Sequence, residues 1–212
     1  ADSLTNSGTI VSSGSITATD ITNEAGGVIE NYKTNEGEDA YEGGMITSAN
    51  MAINKGTITS YANGFDAEVQ NTDGGVYNIL GGTVTKSITG SNGGTVNINK
   101  SSVTVVEDAY ISQNTINLEG TQLKLEDESN LRTSVLNIGE GSTLDINNGK
   151  TNDMNIEEIN VAQGITWNFN FDVDLLAQTS DLLTNTTFGD GSTMNIGIIN
   201  ILADTDRATP TN

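Results

Sequence analysis

Residues 95–146 read TVNINKSSVTVVEDAYISQNTINLEGTQLKLEDESNLRTSVLNIGEGSTLDI, and this stretch decides the fold. An apolar-Asn-apolar triplet recurs in it as Val96-Asn97-Ile98, Ile116-Asn117-Leu118 and Leu136-Asn137-Ile138. Working outward, the same triplet stands at Tyr77-Asn78-Ile79 and Ile159-Asn160-Val161, so the Asn spacings are 19, 20, 20 and 23 residues. A second alternating pair follows after a few turn-forming residues: Val103-Thr104-Val105, Leu123-Lys124-Leu125, Leu144-Asp145-Ile146 and Ile165-Thr166-Trp167. Ile111 and Leu131 mark a third apolar position, again 20 residues apart. Alternation of period two is a strand signal, because successive side chains of an extended chain point to opposite faces. Recurrence at a fixed longer period is the signature of stacked repeats. The unit is therefore read as one coil of a parallel β-helix, an all-β solenoid with roughly 20 residues per coil.

Stacking follows from energetics. One coil turns only about five apolar side chains inward, too few to offset the conformational entropy of ordering its backbone. Coils laid on one another share a core and continuous hydrogen-bond ladders, so only the array is stable.

Composition agrees. Gly (24), Asn (27) and Thr (29) make up about 38% of the 212 residues. Leu, Ile, Val and Phe still total 50, about 24%, above the ~20% level below which a highly charged chain is expected to be disordered. The Ile, Thr and Val excess favours pleated surface over helix. Acidic residues number 28 against 8 Lys and Arg, a net charge of −20, with no His, no Cys and one Pro. The only arginines are Arg132 and Arg207. Such a chain lacks the cationic patch that nucleic acid requires, so no nucleic-acid partner is expected. It has no Ser-His-Asp triad, no Cys nucleophile and no thiolate or imidazole zinc site. The chain begins Ala1-Asp2-Ser3 without an initiator Met, which reads as a mature or excised segment.

Residues 1–202 are read as one domain. Irregular coils occupy 1–75, where glycines precede β-branched pairs, as in Gly8-Thr9-Ile10, Gly56-Thr57-Ile58, Gly26-Gly27-Val28-Ile29 and Gly43-Gly44-Met45-Ile46. An acidic loop is expected near 33–43, regular coils over 76–165, closing coils over 166–202 around Trp167, Phe169 and Phe171, and a flexible tail over 203–212.

These residues resemble a family. The repeats Asn-x-Gly-x-Ile and Gly-Gly-x-Ile, followed by the aromatic strand, Asp172-Val173-Asp174-Leu175 and Ser180-Asp181-Leu182-Leu183, look like the passenger region of a bacterial type V autotransporter or a related β-helical adhesin. The resemblance covers most of the chain, with 166–201 its more specific part. It implies a right-handed helix and a secreted or cell-surface location on a Gram-negative-type bacterium. It also implies an outer-membrane translocator barrel outside this segment, and a glycan or surface protein of a host or neighbouring cell as partner. No barrel, plug helix or internal protease signature is present in these residues.

The triplet residues Asn78, Asn97, Asn117, Asn137 and Asn160 form an expected outward row, which either faces a ligand such as a glycan or stacks as a solvated sheet face. Thr-x-Thr pairs at 17/19, 57/59 and 83/85 are spaced 40 and 26 residues apart, too irregular for a register-matched ice-binding array. The acidic runs Glu36–Glu42 and Glu126-Asp127-Glu128 lack a defined calcium loop, and no metal site or cofactor is expected. Asp172 and Asp174 share a strand face, where a structural corner role is weighed against acid/base work. The alternative function is a polysaccharide lyase or hydrolase. Lyases draw on a basic residue and hydrolases on two opposed carboxylates, and with no catalytic residues evident the chain is read as a non-enzymatic adhesin, stalk or surface spacer.

Overall fold

The computed structural model describes residues 2–33, 41–90, 92–127, 131–151 and 155–202. The acidic run at 34–40 and the tail from 203 lie outside the described residues. The protein is all-β. No α-helix occurs among the described residues, and a single 3-10 turn spans Ala62–Gly64. Every strand pairing among them is parallel except Val28–Lys33 with Tyr41–Glu42 and Thr166–Asp174 with Thr179–Ser180.

The strands form three sheets, and consecutive strands of the chain usually go to different places in them. Thr95–Asn99 lies in the largest sheet, Ser102–Val105 in a second, and Ile111–Glu119 returns to the first beside Thr95–Asn99. The largest sheet has two arms. One runs through Ser3–Asn6, Asp20–Asn23, Ala52–Asn54, Val69–Asn71 and Ile88–Thr89. The other runs through Thr9–Val11, Val28–Lys33, Thr57–Ser60, Val76–Ile79 and Thr95–Asn99. From residue 111 single long strands, Ile111–Glu119, Leu131–Ile138 and Asn155–Val161, traverse both arms. They bend where two neighbouring residues both face outward, as at Asn114-Thr115, between buried Gln113 and Ile116.

Register accounts for the sequence period. Ile29, Ile58, Tyr77, Val96, Ile116, Leu136 and Ile159 stand in one line across the sheet, all buried. Val103, Leu123, Leu144 and Phe169 form a second line. Ile88, Ile111 and Leu131 form a third, which holds the predicted third apolar position. One pairing differs from the sequence reading. Leu144 lies beside Phe169 rather than the Ile165–Trp167 stretch, because the strand Thr166–Asp174 runs on past Trp167, whose indole is itself fully buried against Phe169 and Phe188. In the early part, Thr22 pairs with Ile53, a step of 31 residues that absorbs 34–40 and their flanking hairpin. Strand Thr193–Leu202 pairs with Thr166–Asp174 on one side and leaves Ile196, Ile198, Ile199 and Ile201 exposed.

Because the chain has no native Cys, disulfide trapping reports this register directly. Thr104 and Lys124 are direct neighbours in adjacent strands, at a separation of ~4.8 Å that a disulfide spans, whereas Thr104 and Asp145 are two strands apart. Mild oxidation of the double variant Thr104→Cys, Lys124→Cys is expected to give an intramolecular disulfide, seen as a faster band without reductant. The pair Thr104→Cys, Asp145→Cys is expected to give none.

Candidate functional site

The five triplet asparagines fall in one line: Asn78 pairs with Asn97, Asn97 with Asn117, Asn117 with Asn137 and Asn137 with Asn160. Each is half-buried and alternates with buried apolar neighbours, so the row is on the outer face. In-register stacking brings identical carboxamides within reach of each other, and they bond along the row. Asn137 Nδ2 donates to Asn117 Oδ1 (2.7 Å), Asn117 to Asn97 (2.7 Å), Asn97 to Asn78 (2.8 Å), and Asn78 to Thr59 Oγ1 (3.1 Å). Asn78, Asn97 and Asn117, each donating and accepting once, keep one amide hydrogen and one acceptor lone pair for something outside, and Asn160 extends the line without a side-chain hydrogen bond to Asn137. Asn117, Asn137 and Asn160 also line a shallow depression of about 310 Å³ with Glu119, Gly139 and Ala162.

A second carboxamide ladder, inside the core, escaped the sequence reading. Asn6 Nδ2 donates to Asn23 Oδ1 (2.8 Å), Asn23 to Asn54 (2.8 Å), Asn54 to Asn71 (2.6 Å), and Asn71 to Gln113 Oε1 (3.0 Å). All five side chains are buried, Asn23, Asn54 and Asn71 completely. The second hydrogens go to main-chain carbonyls, among them Val28 for Asn6, Thr57 for Asn23, Val76 for Asn54 and Thr95 for Asn71. A buried amide without such partners would be strongly unfavourable.

Glycines make the room. In Asn71-Thr72-Asp73-Gly74-Gly75, Gly74 takes a φ of +80°, which favours glycine. A Cβ on Gly75 would lie 2.7 Å from Asn71 Oδ1 and 2.3 Å from the Asn54 carbonyl. The last rung is longer. The residue in line with Asn71 in the next strand is Gly90, so Gln113, one strand further on, reaches past it with its extra methylene. A Cβ at Gly90 would lie 1.8 Å from the Asn71 carbonyl oxygen. Asn-x-Gly stands in the sequence at 6–8 and 54–56 and Asn-x-x-Gly-Gly at 23–27 and 71–75, but the same offsets follow the outward Asn137 (Gly139) and Asn78 (Gly81-Gly82), so the pattern alone does not mark the buried ladder.

The carboxylates singled out from the sequence hold turns. Asp172 is fully buried. Its Oδ2 accepts from the main-chain N–H groups of Asn148 (2.7 Å) and Gly149 (2.8 Å), and its Oδ1 accepts from Asn200 Nδ2. Its own N–H donates to Asp181 Oδ2 (2.7 Å). Asp174 Oδ1 accepts from the N–H groups of Leu176 and Ala177 (2.9 Å each), closing the turn after the strand. Among the described residues no group of three or more Asp and Glu is gathered to hold a metal. Tyr77, between Ile58 and Val96 in its line, is wholly buried with its hydroxyl 2.8 Å from Ser60 Oγ. Burial pushes its phenol well above the ordinary tyrosine range, and the Ser60 hydrogen bond opposes this only in part.

Comparison of the chain with protein-family models, with curated proteins and with solved structures finds no significant match.

The two ladders predict different costs. Asn71→Ala leaves Gln113 Oε1 and part of Asn54 unpaired in the core and is expected to lower stability by about 2–4 kcal/mol in denaturant titration. Asn97→Ala, on the wet face, is expected to cost under about 1 kcal/mol. Equal costs would contradict the inner assignment. Gly90→Ala is expected to destabilise at least as much as Asn71→Ala, since the added methyl meets main chain that cannot move without breaking the register.

Tyr77 predicts an alkaline limb. A phenol whose pKa is raised on folding adds no pH dependence below the unfolded value of ~10, and stability falls as pH rises above it because only the unfolded chain ionises readily. Tyr77→Phe is expected to flatten that fall in a denaturation series from neutral pH to about 11.

Proposed function

We propose that the three sheets are faces of a right-handed parallel β-helix. We further propose that this segment is a non-catalytic, autotransporter-type passenger, acting as an adhesin or stalk at the surface of a Gram-negative-type bacterium. The observation that carries it is the unbroken parallel register of the longer arm, from Thr9–Val11 to Thr186–Phe188, with each step taken after a return through another sheet. Right-handedness rests on the strong preference of parallel crossovers for that hand. The autotransporter assignment rests on the resemblance of the Asn-x-Gly-x-Ile and Gly-Gly-x-Ile repeats and of residues 166–201.

Chemistry favours the passive role over a polysaccharide-cleaving one. Asp172 and Asp174 are engaged with turn amides, and Arg132 is the one arginine among the described residues. Acidic residues on the outward half of strands, such as Glu30 and Glu158, keep a repetitive sheet surface from pairing with its neighbours. The outer Asn row offers a glycan or surface protein a regular series of amides.

Beads coated with the purified chain test this on a panel of animal and bacterial cell surfaces, with beads bearing an unrelated repeat protein as control. Retention above control on at least one surface is expected for an adhesin, and retention equal to control assigns a spacer. Release of reducing or unsaturated ends from a polysaccharide panel by the chain would overturn the non-catalytic assignment.

A further inference from the structure

The bend of the long strands creates a groove that neither the triplet row nor the buried ladder uses. It is a polar concavity of about 220 Å³, lined by Ser112, Gln113, Asn114, Arg132, Ser134 and Glu157, with Gly90, Thr133 and Asn155 completing it. It crosses four adjacent strands, a length of ~14 Å at ~4.8 Å per step. Three features mark it out. First, Arg132 is exposed in a chain of net charge −20, yet forms no ion pair among the described residues. Second, its guanidinium is held over the ring of half-exposed Tyr110, 5.7 Å from the centroid, which fixes its donors beside the groove. Third, Gln113 ends the inner ladder with an unpartnered Nε2, although the side chain is only 3% exposed. That amide lies beneath Gly90, itself a lining residue, on the inward side where a Cβ would stand 2.9 Å from it.

We infer that this groove binds a neutral, hydroxyl-rich ligand, a short oligosaccharide. Its lining mixes hydroxyls, carboxamides, one guanidinium and one carboxylate, so it supplies donors and acceptors together, as vicinal hydroxyls require. It offers no apolar pocket for a peptide side chain. A single cation beside Glu157 in a strongly acidic molecule disfavours an anionic chain. Arg132 donates to ring hydroxyls, Glu157 and Asn114 accept, and Tyr110 is a positioning residue for Arg132. This rests on the adhesin proposal and deepens it by naming a ligand class, and it adds a recognition site at the bend, separate from the outer Asn row.

The test is titration of the isotopically labelled full chain with neutral trisaccharides (maltotriose, cellotriose, mannotriose, N-acetylchitotriose) and with trigalacturonate, followed by amide NMR. At least one neutral trisaccharide is expected to shift Ser112, Gln113, Asn114, Arg132 and Ser134. Arg132→Ala is expected to weaken it about tenfold or more while leaving distant resonances in place, and Tyr110→Ala to weaken it less. Asn97→Ala is expected to leave it unchanged. No shifts at millimolar sugar, shifts confined to other residues, binding unaffected by Arg132→Ala, or preference for trigalacturonate would each overturn the inference. Cell-surface retention that survives Arg132→Ala would overturn the groove as a recognition site while leaving the adhesin proposal standing.

Discussion

Parallel, in-register pairing places each residue beside its counterpart in the next strand, and the rest of the structure depends on that constraint. An apolar side chain in such a line needs only a neighbour of similar size. A polar one needs a partner of complementary chemistry at the same step, repeated down the line. A carboxamide meets this requirement because it is both donor and acceptor, so Asn6, Asn23, Asn54 and Asn71 can each serve the next. A Ser hydroxyl also donates and accepts but is too short to bridge the ~4.8 Å step to its counterpart, and an ionised Asp only accepts. The few buried carboxylates here, such as Asp172, are instead satisfied by main-chain amides of turns.

The same constraint explains where glycine stands. A buried Asn at the end of a strand folds its amide back over the following turn, and the turn residue facing it can carry no Cβ, as at Gly75. Where the line meets Gly90, the ladder survives because Gln113 is one methylene longer and the missing side chain leaves it passage. The end of the inner ladder, the start of the long bent strands and the groove holding Arg132 coincide there. Beyond it the line continues through Thr133 to the apolar Ile156, so the amide ladder ends at Gln113.

Much of the fold was legible because it is written in period. The triplets around Asn97, Asn117 and Asn137 fixed strand, face and spacing together, since alternation decides which side is buried and recurrence decides what stacks. Asn160 followed although its spacing stretches to 23, because the extra residues fall between the paired strands and leave Asn137 in register with Asn160. The pairing of Leu144 with Phe169 was not legible, since the strand containing Trp167 has apolar residues at Trp167, Phe169 and Phe171 and permits more than one register by pattern alone. The inner ladder was hidden for a different reason. Asn in these sequences reads as a corner or surface residue by propensity, and the offset to a following glycine does not separate the two rows, since outward Asn78 and Asn137 carry it as well as buried Asn23 and Asn71. The groove at residues 112–134 was invisible in sequence because it arises from a bend in which Asn114 and Thr115 both face outward, which interrupts alternation.

The buried carboxamide ladder runs on across Gly90, and side-chain amide NMR of the native chain measures that continuity most directly. The expected result is slow exchange of the Asn23, Asn54 and Asn71 side-chain amide protons, with Overhauser contacts linking the Asn71 amide to Gln113 and none of comparable strength from Asn97 to either. Side-chain amides of Asn54 and Asn71 that exchange as fast as those of the surface asparagines, with no contact between Asn71 and Gln113, would contradict it.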